Sequence, residues 1–179
     1  MDKLRQFTDG CDHIRKIRDF YVTFGHNMIV RELCSGGYSQ SSSGSLQLLF
    51  KRHKEDKEKF GSDQIIKWLK QALQALEYSH RKAVIHKRIG KSTFEVQGDS
   101  IKLDGFLVGE RNLNREEIPN WAPELIDEID MCDVVSASTF TTKMDVWSLG
   151  ATFFSLCSLR DFENEPSELA RLVISEGLP

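Results

Sequence analysis

The sequence has no apolar run approaching the roughly 20 residues that a membrane span needs. Its first residues, Met1-Asp2-Lys3-Leu4-Arg5-Gln6, lack the apolar core of a secretory signal. Neither membrane insertion nor export is expected. The four cysteines, Cys11, Cys34, Cys132 and Cys157, form no C-x-x-C pair. They indicate neither a zinc site nor a disulfide framework, and the expected compartment is a reducing one, the cytoplasm or the nucleus. A formal net charge of −3 supplies no strong attraction for nucleic acid or for an anionic membrane. No internal repeat is present. What remains is a chain of 179 residues, 40% hydrophobic and 28% charged, the make-up of about one soluble globular domain.

Met1 to Phe7 reads as the end of a helix. Ile14 to Thr23 and Asn27 to Leu33 read as strands across a Phe24-Gly25-His26 turn. Ser35-Gly36-Gly37 breaks the second, and Ser39 to Ser45 is serine-rich. Leu46 to Phe50 is a short apolar segment. Lys51 to Lys59 holds only charged residues and one histidine. Glu55, Asp56 and Glu58 offset its positive charge, so it reads as a solvated helix end or loop. Ser62 is expected to cap a helix from Asp63 to His80 with Ile65, Leu69, Leu73, Leu76 and His80 on one face, broadened by Ile66 and Trp68.

Ala83 to Ile85, Phe94 to Val96 and Ile101 to Leu103 are short strand candidates, the last two joined by Gln97-Gly98-Asp99. Glu110 to Asn120 is polar and irregular. Asp127 to Thr142, acidic and then rich in serine and threonine, reads as an exposed loop. Asp145 to Cys157 is apolar on nearly all sides and is expected to be a buried helix. Ser167 to Ser175 reads as a last amphipathic helix. The expected class is mainly α with small β hairpins (α+β).

Several motifs stand in one order. Ile29-Val30-Arg31-Glu32-Leu33-Cys34-Ser35-Gly36-Gly37 comes first, then Ala72-Leu73-Gln74-Ala75-Leu76-Glu77-Tyr78-Ser79-His80. His86-Lys87-Arg88-Ile89-Gly90-Lys91-Ser92-Thr93 follows, then Gly105-Phe106-Leu107, Trp121-Ala122-Pro123-Glu124 and Asp145-Val146-Trp147-Ser148-Leu149-Gly150. This order resembles the C-terminal lobe of the eukaryotic protein kinases, whose signatures include H-R-D-L-x-x-x-N, D-F-G and A-P-E. The resemblance covers residues 14 to 157 and is of the serine/threonine kinase kind. It implies a partial kinase-like domain over residues 1–179: the end of an N-lobe and a hinge in 14–34, and a C-lobe in 35–179 without its last helices. No Gly-rich loop or V-A-I-K strand precedes the hinge, so the N-lobe is expected to be largely missing and the chain to be a fragment or short product.

The resemblance also implies what the site lacks. Phosphoryl transfer needs carboxylates to hold magnesium and to orient the hydroxyl. Arg88 stands at the base aspartate position, Thr93 at the metal-ligand asparagine and Gly105 at the metal aspartate. Gly90 replaces a phosphate-neutralising lysine, and Lys87 replaces the arginine that pairs with a phosphorylated loop. Residues 105–120 contain no serine, threonine or tyrosine, so phosphorylation there has no acceptor. Another register makes Asp104 the surviving metal ligand and displaces Phe106; the first is preferred because it needs a smaller deletion.

The residues that match the family read as structural. His86 and Phe106 are expected in a hydrophobic spine beneath Ile17. Asp145 is expected to accept hydrogen bonds from the loop at His86, and Glu124 and Trp147 to belong to the lobe's framework. Remnants of a nucleotide pocket are Arg31, Glu32, Cys34 and Glu95. Either Arg31 and Glu95 meet and fill the adenine space, or both turn to solvent.

Catalytic residues, metal ligands, ATP and magnesium are therefore not expected, nor is enzyme activity. The expected function is a catalytically inactive kinase-like (pseudokinase) scaffold or regulator that binds protein partners and neither nucleic acid nor membrane. The alternative is a divergent or truncated serine/threonine kinase with weak ATP binding or residual phosphotransfer.

Overall fold

The computed structural model describes residues 2–23, 26–34, 44–106, 113–114, 120, 122–125, 134–136 and 138–160. Helix α1 (Asp2–Asp9) leads into an antiparallel hairpin of β1 (Ile17–Thr23) and β2 (His26–Arg31). Thr8 joins helix to hairpin. Its hydroxyl donates to the Arg5 carbonyl at 3.1 Å and accepts the Ile17 N–H at 3.1 Å.

Leu46 to Phe50 proves to be the first half of a helix, α2 (Leu46–Asp56). The Ser45 hydroxyl accepts the Gln47 N–H, and Leu46 and Phe50 are buried. Left-handed Lys57 ends the helix, its N–H turned back to the His53 and Lys54 carbonyls. The charged run is thus mostly the helix's solvated last turns.

Helix α3 spans Ser62–Arg81. The expected Ser62 cap is not formed: Gly61 is the N-cap, without a side-chain bond. The buried face matches the expected one in part: Trp68 and Leu76 are buried, and Ile65 and Leu69 pack partly buried on the core. Trp68, Gln71, Ala72, Ala75, Leu76 and Ser79 face inward, while Ile66 and Leu73 are about half exposed. The large residues suggested a stripe centred elsewhere. The small ones, Ala72, Ala75 and Ser79, admit close neighbours, so they set the contact face. After α3 the chain turns through left-handed Ala83, and Val84 donates to the Ser79 carbonyl at 2.9 Å. Ala83 to Ile85 is therefore a turn and its exit, not the expected strand.

A second hairpin follows, β3 (Phe94–Gln97) and β4 (Ser100–Leu103), with Phe94 opposite Leu103 and Gln97 opposite Ser100. Gly98, at φ +60, supplies the turn. Trp68 Nε1 donates to the Asp99 carbonyl at 3.1 Å and Gln71 Oε1 accepts the Ile101 N–H at 2.9 Å, which fixes the hairpin on α3. At its far end Leu103 donates to His13 at 2.8 Å and accepts from Arg15 at 2.9 Å. This lays the α1–β1 connection beside Asp104. Two-residue strands β5 (Leu113–Asn114) and β6 (Val134–Val135) also pair.

Helix α4 (Thr142–Ser158) packs on α3. It was expected to be buried all round, but Val146, Phe154 and Cys157 are exposed. Its inner side is built of Asp145, Ser148, Leu149, Ala151, Thr152, Phe153, Ser155 and Leu156. One core joins Ile14, Phe50, Trp68, Leu76, Phe94, Leu103, Leu149 and Phe153; a second holds Ala122, Leu125, Val135, Phe140 and Met144. The architecture is α+β, that of a partial kinase-like lobe. Among the described residues no helix is long and apolar enough to cross a membrane. The expected helix Ser167 to Ser175, the Phe24-Gly25 turn, Ser39 to Ser43, Trp121 and all of Asp127 to Asp133 lie outside the described residues.

Candidate functional site

The segment from His86 to Thr93 is held by one carboxylate. Asp145, 2% exposed in the first turn of α4, accepts the His86 N–H at Oδ2 (2.8 Å) and the Lys87 N–H at Oδ1 (2.8 Å). His80 Nε2 lies 2.9 Å from Oδ2. A buried carboxylate with this many donors is satisfied, and the helix N-terminus favours its charge. The anchorage also holds Lys87 at φ 72, a left-handed conformation that a non-glycine residue adopts only under constraint. The role expected of Asp145 is the one observed.

His86 is fully buried. Its Nε2 lies 2.8 Å from the Asp104 carbonyl, and its Nδ1 accepts the Arg88 N–H at 3.3 Å. This pair of partners selects the neutral tautomer protonated at Nε2. Phe106 packs on the imidazole with ring centroids 4.6 Å apart, and Phe7 of α1 meets Phe106 edge-on at 5.2 Å. His86 and Phe106 are therefore stacked, as expected. Ile17 is buried, but the ring of α1 that meets Phe106 is Phe7, which the sequence reading did not single out. Phe7 is the only aromatic in α1, and that is the one signal for it.

Burial pushes the His86 pKa below its ordinary 6.5, against the pull of the Asp104 carbonyl and of Asp145. Below that pH the unfolded chain takes up a proton that the folded ring refuses. Stability is therefore lost as pH falls from about 6.5 toward the lowered folded pKa, with a slope of up to about 1.4 kcal/mol per unit. Glu95 acts in the opposite sense, since burial raises its pKa. Melts at pH 7.5, 6.5 and 5.5 are expected to fall more steeply for the wild-type chain than for His86→Phe.

Thr93 is committed to the loop. Its hydroxyl donates to the Gly90 carbonyl at 2.8 Å and accepts the Gly90 N–H at 3.1 Å, while its own carbonyl accepts the Asp104 N–H at 2.8 Å. Gly105 has φ +80, and a Cβ there would stand 3.4 Å from Thr93 Cγ2. Arg88 is partly buried, and its Nε is sealed from solvent without a hydrogen-bond partner among the described residues. Lys91, which the sequence reading passed over, is buried with Nζ 4.6 Å above the Phe50 ring.

The residues expected to line a nucleotide pocket take part in a cluster of charges. Asp104 Oδ2 is 2.9 Å from Arg15 Nη1. Its Oδ1 is 3.1 Å from Arg31 Nε, an ion-pair contact without hydrogen-bond alignment, and accepts the Gly105 N–H at 2.6 Å. Arg15 Nη1 also lies 3.6 Å from Glu95 Oε1, and its Nε donates to the Glu32 carbonyl at 3.0 Å.

Neither expectation for Arg31 and Glu95 holds. They form no direct ion pair, and they do not turn to solvent; Arg31 pairs with Asp104 and Glu95 with Arg15. Burial raises Glu32, but hydrogen bonds from Lys102 (2.6 Å) and the Lys16 N–H (2.9 Å) outweigh it and hold that carboxyl below its ordinary range. Cys34 is buried, which pushes its thiol up. Arg15 carried no motif signal and was missed.

The framework residues divide. Trp147 is partly buried against the second core, whereas Glu124, in the turn Pro123–Leu125, is exposed. Asn120, also unpredicted, is buried. Its amide donates to the Ile89 carbonyl (3.3 Å) and Thr152 Oγ1 (3.2 Å), and its carbonyl accepts from the Ser148 hydroxyl (3.0 Å). It ties the loop to α4. Around Asp104, both carboxylate oxygens are engaged and Thr93 is used by the loop, so this arrangement does not fit a magnesium ion with its nucleotide. Among the described residues no group of three or more His, Cys, Asp or Glu is placed to hold a metal.

The protein kinase domain matches residues 2–175. Serine/threonine-protein kinase 10 of Homo sapiens is 29% identical over 167 residues, which cover 87% of this chain and 16% of that protein. The Danio rerio protein of the same name is 30% identical over 168 residues, with the same coverage. Serine/threonine-protein kinase 10-A of Xenopus laevis is 29% identical over 168 residues, again covering 87% and 16%. The chain thus spans 16% of the length of these relatives. These matches correct the expectation that the chain is not an enzyme, because they point to a kinase enzyme. That expectation gave three substituted positions more weight than likeness along the whole lobe, and a carboxylate, Asp104, does stand in the metal loop. With the domain match running through nearly all of it, the chain belongs to the protein kinase family.

Proposed function

We propose that this divergent serine/threonine kinase-like protein acts as a regulator or scaffold through protein–protein contacts, and that it binds ATP and magnesium weakly. The observation that supports this is Asp104, whose two oxygens are taken by Arg15, Arg31 and the Gly105 N–H. A nucleotide's magnesium has to displace these partners first. Exposed apolar side chains on the first hairpin, among them Tyr21, Val22 and Met28, are consistent with protein contacts. Localisation is proposed as cytoplasmic.

A second reading, a divergent serine/threonine kinase with residual phosphotransfer, is favoured by the names of the matched relatives. It would run through Asp104, the carboxylate of the metal loop. Thermal-shift titration with ATP and magnesium tests the proposal. A ligand at a tenth of its Kd stabilises by only about 0.06 kcal/mol, against about 2.7 kcal/mol at a hundredfold excess. No shift is expected at millimolar ATP. A magnesium-dependent shift, with labelled phosphate transfer that Asp104→Asn abolishes, would establish the second reading instead.

A further inference from the structure

The loop that follows α3 is basic, and part of its charge has no counterpart among the described residues. Residues 81–94 hold Arg81, Lys82, Lys87, Arg88 and Lys91 and no aspartate or glutamate. The two aspartates that touch this loop are already engaged. Asp145 accepts the His86 and Lys87 N–H groups and lies 2.9 Å from His80 Nε2. Asp104 meets Arg15, Arg31 and the Gly105 N–H. Arg88 is left over. Its side chain is partly buried, its Nε is shut from solvent, and among the described residues its guanidinium has neither a hydrogen-bond acceptor nor an ion-pair partner. Withdrawing a charge from water without a partner costs free energy, so an acceptor brought from outside the lobe is favourable there. The backbone that carries Arg88 is held firmly. Its own N–H donates to His86 Nδ1 at 3.3 Å, the Gly90 N–H donates to Thr93 Oγ1 at 3.1 Å, and Asn120 donates to the Ile89 carbonyl at 3.3 Å. A ligand therefore loses little to ordering the loop.

We propose that Arg88, with Lys87 next to it in the chain, is the docking point for a carboxylate in an acidic segment of a protein partner. A guanidinium presents a planar fork of N–H donors that a carboxylate meets with two parallel bonds. Lys87, partly buried and without an ion-pair partner among the described residues, adds a second positive charge to the same loop. This docking point rests on the reading of a chain that works through protein contacts, and it gives one such contact its chemistry: acidic on the partner, basic here.

The probe is a short fluorescent peptide carrying a run of glutamates, added to the whole chain without nucleotide or magnesium and followed by fluorescence anisotropy. Binding is expected, weakening as salt rises, and absent for the same peptide with glutamine in place of glutamate. Arg88→Gln is expected to weaken binding about tenfold, and Arg88→Lys, which keeps the charge but loses the fork, about threefold. Removing an unpaired, partly buried cation relieves a cost, so Arg88→Gln is expected to melt no lower than the wild-type chain. A glutamate peptide that does not bind, or that binds Arg88→Gln as tightly as the wild-type chain, overturns the docking point. So does a clear fall in the melting temperature of Arg88→Gln, which would make Arg88 a structural residue. A phosphoserine peptide that binds where the glutamate peptide does not overturns the assignment to a carboxylate. None of these outcomes bears on the titration with ATP and magnesium, so the docking point and the proposed function fail separately.

Discussion

Asp145→Ala is expected to cost about 3–5 kcal/mol of folding stability, the cost of leaving buried donors without their acceptor. Asp145 takes the His86 and Lys87 N–H groups at 2.8 Å each, with His80 Nε2 at 2.9 Å, on a carboxylate almost closed to solvent. Its loss strands the buried His86 N–H, leaves the partly buried Lys87 N–H without its acceptor and releases the left-handed conformation at Lys87. The whole stability of a domain is about 5–15 kcal/mol, so the variant should lie near the edge of folding. Asp145→Asn keeps one acceptor oxygen and is expected to lose less. Urea denaturation measures both: the midpoint should drop with the slope unchanged. A loss below about 1 kcal/mol for Asp145→Ala would mean that the loop is held some other way.

Phe94→Ala is expected to cost about 3–5 kcal/mol, the usual range for emptying a buried phenylalanine site. Phe94 is 0% exposed, pairs with Leu103 across the second hairpin and meets Phe153 of α4 edge-on at 6.3 Å between centroids. Its neighbours cannot collapse into the gap, because α3 holds the hairpin through Trp68 and Gln71. The same hairpin carries Glu95 and leads into Asp104. The variant should therefore loosen the ion cluster as well as the core. Calorimetry reads the first effect, and faster amide exchange at Gly105 than in the wild-type chain reads the second. A loss below about 1 kcal/mol with unchanged exchange would show that the hairpin does not hold the cluster in place.

Alternation made the second hairpin readable, since Phe94 and Val96 had to face one way and Glu95 the other. The role of Asp145 was readable from the family resemblance alone, through Asp145-Val146-Trp147. What stayed hidden depended on partners far apart in the chain. Nothing local to Arg15 announces that it will meet Asp104, 89 residues later. Helix α2 was half concealed because a run of charges reads as solvated, whatever the backbone beneath it does. The face of α3 was drawn off centre, with Ile66 and Leu73 included, because apolar size was counted and the space that alanines leave for a neighbour was not. Activity was misjudged in a related way, with single positions weighed more heavily than the lobe as a whole.

The most direct measurement follows the side-chain Nε–H resonances of Arg15 and Arg31 by NMR while magnesium and ATP are added. An ion cluster that occupies Asp104 predicts slow exchange at both, because Arg15 Nε–H bonds the Glu32 carbonyl and Arg31 Nε is shut from solvent beside Asp104; it predicts faster exchange at Arg31 in Asp104→Asn, and no change on addition of millimolar magnesium and ATP. Resonances that shift and exchange faster as magnesium and ATP are added would contradict the account, because nucleotide would then be opening the cluster.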